Sequence, residues 1–95
     1  MFKEGDILRF YNDERGESCV FILSSVYNDD WIEAHIKYSF AFKSFGVGKG
    51  SMKTNIKYST GCLRYANEWE KNFLLDVMEN NGYSYDFKTN KVREI

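Results

Sequence analysis

The chain has 95 residues and a mass of 11.2 kDa, room for one domain. Thirteen Lys and Arg stand against fourteen Asp and Glu, a net charge of −1, which opposes nonspecific affinity for nucleic acid. The longest apolar run centres on Val20 to Leu23, too short to span a bilayer, and Met1-Phe2-Lys3-Glu4-Gly5-Asp6 lacks the order of a secretory signal.

Two cysteines, Cys19 and Cys62, are too few to staple a secreted scaffold and are expected to be buried free thiols. With 43% hydrophobic residues the chain reads as a folded protein of the cytoplasm. Seventeen aromatics, 18% of the chain, let a short sequence bury much apolar area with few residues. Pro is absent, Lys and Asn are common and Ala is rare, the bias of an AT-rich coding sequence.

Period-2 alternation dominates the first two thirds. Residues 6–11 read as a short strand, followed by a polar turn over 12–17 containing Gly16. Residues 18–27 are apolar on both faces, with Cys19, Phe21 and Leu23 opposite Val20, Ile22 and Val26, which suits a central strand. After a turn at Asn28-Asp29-Asp30, residues 31–42 alternate most clearly. Ile32, Ala34, Ile36, Tyr38, Phe40 and Phe42 share one face; Glu33, His35, Lys37 and Ser39 share the other. A strand this long has room for a bulge or bend. Residues 44–53, S-F-G-V-G-K-G-S-M-K, read as a Gly-rich loop, and residues 54–65 return as strand with Gly61 a candidate bulge.

The period then changes to 3.6. Asn67 is a good N-cap with Glu70 three positions on, and Trp69, Phe73, Leu74, Val77 and Met78 form one apolar stripe that stops at Asn80-Asn81-Gly82. Tyr83, Tyr85 and Phe87 alternate, residues 88–91 turn, and residues 92–95 pair back. The expected fold is α+β in a single domain over 1–95: a β-rich part (1–66), a helix (67–81) and a strand or hairpin (83–95). The β part is an antiparallel meander of about five to six strands, curled in one version into a small SH3-like barrel, with one amphipathic C-terminal helix against it.

The stretch from Leu63-Arg64-Tyr65-Ala66 through Asn80-Asn81-Gly82-Tyr83-Ser84-Tyr85-Asp86 resembles the tail of small uncharacterised proteins of Bacteroidetes and their phages. Those tails follow a β-rich part and read roughly L-R-x-A-T-x-E-E-K, then N-G-Y-x-W-D. Here Asn67 stands for the Thr, Trp69 for a Glu and Tyr85 for the Trp. The resemblance covers about a quarter of the chain. It implies a phage or mobile-element source and carries no catalytic residue.

Charge is unevenly laid out. Residues 37–65 hold Lys37, Lys43, Lys49, Lys53, Lys57 and Arg64 with no acid, whereas residues 1–36 hold eight acids and three bases. Phe40, Phe42, Phe45 and Tyr58 interleave with the lysines, as in single-stranded nucleic-acid binding, where cations track phosphates and rings stack bases. Alternation assigns Phe40 and Tyr58 to the core instead and leaves Phe45, in the Gly-rich loop, as the ring expected to be exposed. The partner-binding candidates are therefore Lys37, Lys43, Phe45, Lys49, Lys53 and Lys57.

Other chemistry is weakly signalled. Gly48-Lys49-Gly50-Ser51 departs from a phosphate loop, because Lys43 stands where the first Gly belongs and Gly50 where the hydroxyl belongs. His35, the one histidine, reads as a solvated strand residue. Neither catalytic constellation nor metal set nor cofactor motif assembles. The sequence reading is a non-enzymatic binding module, monomeric or a small homo-oligomer, off the membrane. Its expected partner is a host protein, with defence-nuclease inhibition in view; the alternative is single-stranded nucleic acid on segment 37–65.

Overall fold

The computed structural model describes residues 2–28, 31–53 and 62–95, the side chain of Lys49 excepted. Strand β1 (Ile7–Asn12) leads through a single 3-10 turn, Asp13–Arg15, into β2 (Glu17–Val26). Gly16 closes that turn at φ 65°, where a side chain would be strained. β3 (Trp31–Ser39), β4 (Ser44–Lys53) and β5 (Cys62–Tyr65) complete an antiparallel sheet of five strands in the order β4-β3-β2-β1-β5. Helix α1 (Glu68–Asn80) follows, and β6 (Tyr83–Asp86) pairs with β7 (Lys91–Glu94) as a separate hairpin. The protein is α+β, as the change of period from 2 to 3.6 requires.

β2 is central and buried on both sides, so each face of the sheet carries its own apolar cluster. On the helix side Val20, Ile22, Ile7 and Ile36 meet Leu74 and Met78 of α1 and Tyr85 of β6. On the other side Leu8, Phe10, Phe21, Leu23, Ile32 and Ala34 pack together with Met52. The sheet encloses this second cluster by curling on itself. The curl brings the β1–β2 turn to the end of β4, where Arg15 Nη2 donates to the Lys53 carbonyl at 2.9 Å. Each fully buried Leu, Ile or Phe contributes about 1.5–3 kcal/mol, so both clusters matter in a domain this small.

The bend that makes the curl sits in β3. Its register against β2 runs Ile22↔Ile36 and then Leu23↔Ala34, leaving His35 as an extra residue. Against β4 it runs Ile36↔Val47 and then Ala34↔Gly50, so β4 bulges there too, with Gly48 at φ 108°. This breaks the uninterrupted alternation expected of residues 31–42. Ile32 and Ala34 enter the concave cluster, while Ile36, Tyr38 and Phe40 enter the helix-side one. His35 is consequently buried, at 8% exposure, rather than solvated. Its Nε2 lies 2.8 Å from Glu4 Oε2, and its ring is tilted against that of Tyr85 at 5.4 Å.

Three further expectations need correcting. β3 ends at Ser39, so Phe42 falls in the following turn and is 80% exposed instead of joining the core. Residues 44–53 form strand rather than loop: pairing to β3 needs only backbone groups, and that pairing overrides the low strand propensity of Gly46, Gly48 and Gly50. Trp69, placed in the apolar stripe, is 65% exposed and stacks on Phe73 one helical turn away. The strand expected at 54–65 is described only as β5; residues 54–61, with Lys57, Tyr58 and Gly61, lie outside the described residues.

The helix starts as its sequence demands. The Asn67 side chain accepts from the Glu70 amide, and the Glu70 carboxylate accepts from the Asn67 amide, both at 2.8 Å.

Candidate partner-binding surface

The basic segment is divided by the alternation of β3 and β4. Three of its described rings turn inward: Tyr38 and Phe40 pack edge-on at 5.3 Å, and both meet Phe73 of the helix. Phe45 does the same. It is half-buried against the helix-side cluster, 6.0 Å from the Tyr83 ring, and is not the exposed loop residue expected. The described lysine side chains of the segment lie outside that cluster. Lys43 is exposed in the β3–β4 turn at φ 50°, and Lys53 is exposed at the end of β4. Lys49 falls on β4 between Gly48 and Gly50. Lys37 is half-buried on the concave side of β3, opposite Phe21 and Gly46.

Lys37 stands between two hollows. The larger, about 370 Å³, is lined by Arg15, Ser18, Cys19, Lys37, Phe42 and Met52 among others. The smaller, about 160 Å³, runs past Gly46, Val47, Gly48 and Gly50 on β4. A side chain at any of those three glycines would meet nothing within 4 Å, so β4 offers bare backbone along this stretch. Arg15 at the rim is paired with Glu17. Neither Lys37 nor Lys43 nor Lys53 has an ion-pair partner among the described residues. Burial pushes the Cys19 thiol up to about 11, which keeps it protonated and unreactive on the floor of the hollow.

Arg64 belongs to a different group, one that sequence reasoning missed. Its guanidinium grips Glu70 with two bonds, Nη1 to Oε1 at 2.8 Å and Nη2 to Oε2 at 3.0 Å. From β1, Arg9 reaches the same carboxylate, Nε to Oε2 at 2.9 Å. Arg9 also donates to the Phe10 and Cys19 carbonyls and to Ser18 Oγ, and lies over the Phe40 and Tyr11 rings at 4.9 and 5.4 Å. Glu70 is 6% exposed, and hydrogen bonding from Arg64 leads the causes that hold its carboxyl below the usual carboxylate value. This cluster ties the helix N-terminus to β1 and β5. Only the capping role of Glu70 was legible in advance, because Arg9 and Glu70 are sixty-one positions apart in sequence.

Among the described residues, no three His, Cys, Asp or Glu side chains converge as metal ligands. Among the same residues no helix is long and apolar enough to cross a membrane. The arrangement suited to chemistry of recognition is the concave side around Lys37, with cationic groups at its rim and the buried Cys19 and Met52 in its lining. Neither a protein-family model, nor a curated protein, nor a solved structure matches the chain.

Proposed function

We propose that the chain is a small non-enzymatic binding module of phage or mobile-element type that acts on a protein of its bacterial host, in the cytoplasm, as a stoichiometric inhibitor of host machinery such as a defence nuclease. The observation that carries this reading is the separation of three rings from three lysines among the described residues of segment 37–65. Tyr38, Phe40 and Phe45 fill the helix-side core, whereas Lys37, Lys43 and Lys53 lie outside it without ion-pair partners among the described residues. A surface of lysines around an apolar hollow suits an acidic protein face, where charge guides encounter and apolar contact holds the complex. The phage-type source rests on the tail resemblance.

The second reading, single-stranded nucleic acid, is favoured by one feature, the exposed Phe42 ring beside Lys43. A pull-down from host lysate, with and without nuclease, separates the two. The protein reading expects capture that survives nuclease and is abolished by Lys43→Glu with Lys53→Glu. Capture lost on nuclease treatment, together with strongly salt-dependent binding of single strands, replaces it with the second reading.

A further inference from the structure

We infer that the hollow at Lys37 is the anchor site for an acidic side chain flanked by an apolar one, carried by an extended segment of the protein partner. The inference rests on the protein-binding reading and gives that reading a defined pocket.

Four observations lead there. The hollow has a volume of about 370 Å³, with the buried sulfurs of Cys19 and Met52 among its lining and hydroxyl groups of Ser18, Ser39 and Ser44 around them. Ser18 Oγ already accepts from Arg9, and Ser39 Oγ from the Phe42 amide, so the walls are held in place by bonds of their own. Lys37 is the one lysine in the lining, and no carboxylate among the described residues pairs with it. The carboxylate that does line the hollow, Glu17, is already paired with Arg15. A carboxylate entering beside Lys37 gains a half-buried cation, and an adjoining aliphatic side chain reaches Met52 and the exposed Phe42 ring.

An extended polypeptide fits better than a free small anion because Lys37 also lines a second, smaller recess. That recess runs along Gly46, Gly48 and Gly50, where the absence of side chains leaves β4 backbone open. Lys43 and Lys53 flank this path at the two ends of β4, which adds attraction for further acids along the segment. A nucleic-acid strand fits worse. Glu17 stands at the rim, and three of the segment's described rings, Tyr38, Phe40 and Phe45, are packed against the helix-side cluster. A second copy of the chain in a two-fold contact would bring the same lysines edge to edge.

The test is a two-dimensional amide NMR titration of the whole protein with acetyl-Gly-Glu-Leu-Glu-Gly-amide. The controls are the Gln-for-Glu peptide and a ten-nucleotide thymidine strand. The acidic peptide is expected to shift the Ser18, Cys19, Lys37, Ser44 and Gly46 amides. Lys37→Gln should weaken it about three- to fivefold, the size of one partly exposed ion pair, while Lys88→Gln in the distant hairpin turn leaves it unchanged. Phe42→Ala, in an exposed turn, gives a second variant that keeps the sheet intact. Equal binding of the Gln peptide, no shifts in the hollow, or shifts there caused by the thymidine strand overturns the inference. So does light scattering that shows self-association abolished by Lys37→Gln. Nuclease-resistant lysate capture that is lost with Lys43→Glu and Lys53→Glu, in a protein whose hollow amides the acidic peptide does not shift, overturns the anchor site alone and leaves the protein-binding reading standing.

Discussion

The two sets of cations in this protein do opposite jobs. Arg9 and Arg64 converge on one buried carboxylate at the start of the helix, so both are held by a counter-charge within the fold. Lys37, Lys43 and Lys53 surround the concave side and meet no carboxylate among the described residues. Arginine presents a planar fork that matches a carboxylate and tolerates burial, whereas lysine is a strongly hydrated point charge on a flexible stem. Positive charge alone therefore says nothing about function in this chain; what each cation already holds does. Arg64 adds to the positive count of residues 37–65, yet it is already held by Glu70.

The sharpest way to break the contrast is to remove the shared carboxylate. Glu70→Ala leaves the Arg9 guanidinium, with 15% of its side chain exposed, facing no counter-charge, and also deletes half of the capping box. The expected loss is about 3–5 kcal/mol, a large part of the total stability of a domain this size, read as a fall in the midpoint of urea unfolding. A midpoint unchanged within error would show that the cluster is ornamental.

Next comes the aromatic side of the same region. Phe73 lies between Tyr38, Phe40 and Trp69, with ring centroids 5.0 to 5.4 Å away. Phe73→Ala is expected to cost about 3 kcal/mol, at the low end for a Phe deletion because the ring is only half-buried. A thermal melt indistinguishable from the parent would mean that this ladder serves contact with a partner and not the core.

A pH titration then isolates the ion cluster. Glu70 has its carboxyl lowered by the Arg64 hydrogen bonds, so folding favours its ionised form. Its contribution is complete above the unfolded value, about 4.3, and is lost as pH falls through the lower folded value. Denaturation midpoints measured between pH 6 and pH 2.5 should drop on the acid side, and the drop should be smaller in Glu70→Gln. An identical acid limb in both proteins would assign acid sensitivity to other carboxylates, with Asp86 next in line, since backbone hydrogen bonds from Lys88 and Thr89 lower it as well.

The smallest effect is expected from the lysines. Lys43→Glu with Lys53→Glu should shift stability by no more than about 0.5 kcal/mol, because exposed charges without partners contribute little to folding. A large loss would place these lysines in the structural class with the arginines and end the contrast.

Elements controlled by short-range physics can be read from the residues alone. Both faces of β2 are apolar within ten residues, the capping box spans four, and the change of period falls at Asn67, so each could be read locally. Tertiary structure alone decided which face each residue of β3 serves. The insertion of His35 into the register against β2 is invisible in an alternating string, yet a one-residue shift sends Ile32 and Ala34 to one core and Ile36 and Tyr38 to the other. It also decided that a run of three alternating glycines would be strand, since the backbone of β3 supplies the hydrogen bonds that side chains there do not. The fate of the cations was settled the same way. Whether a positive charge is closed inside or left for a partner depends on carboxylates brought near by folding, and for Arg9 that carboxylate comes from the far end of the chain.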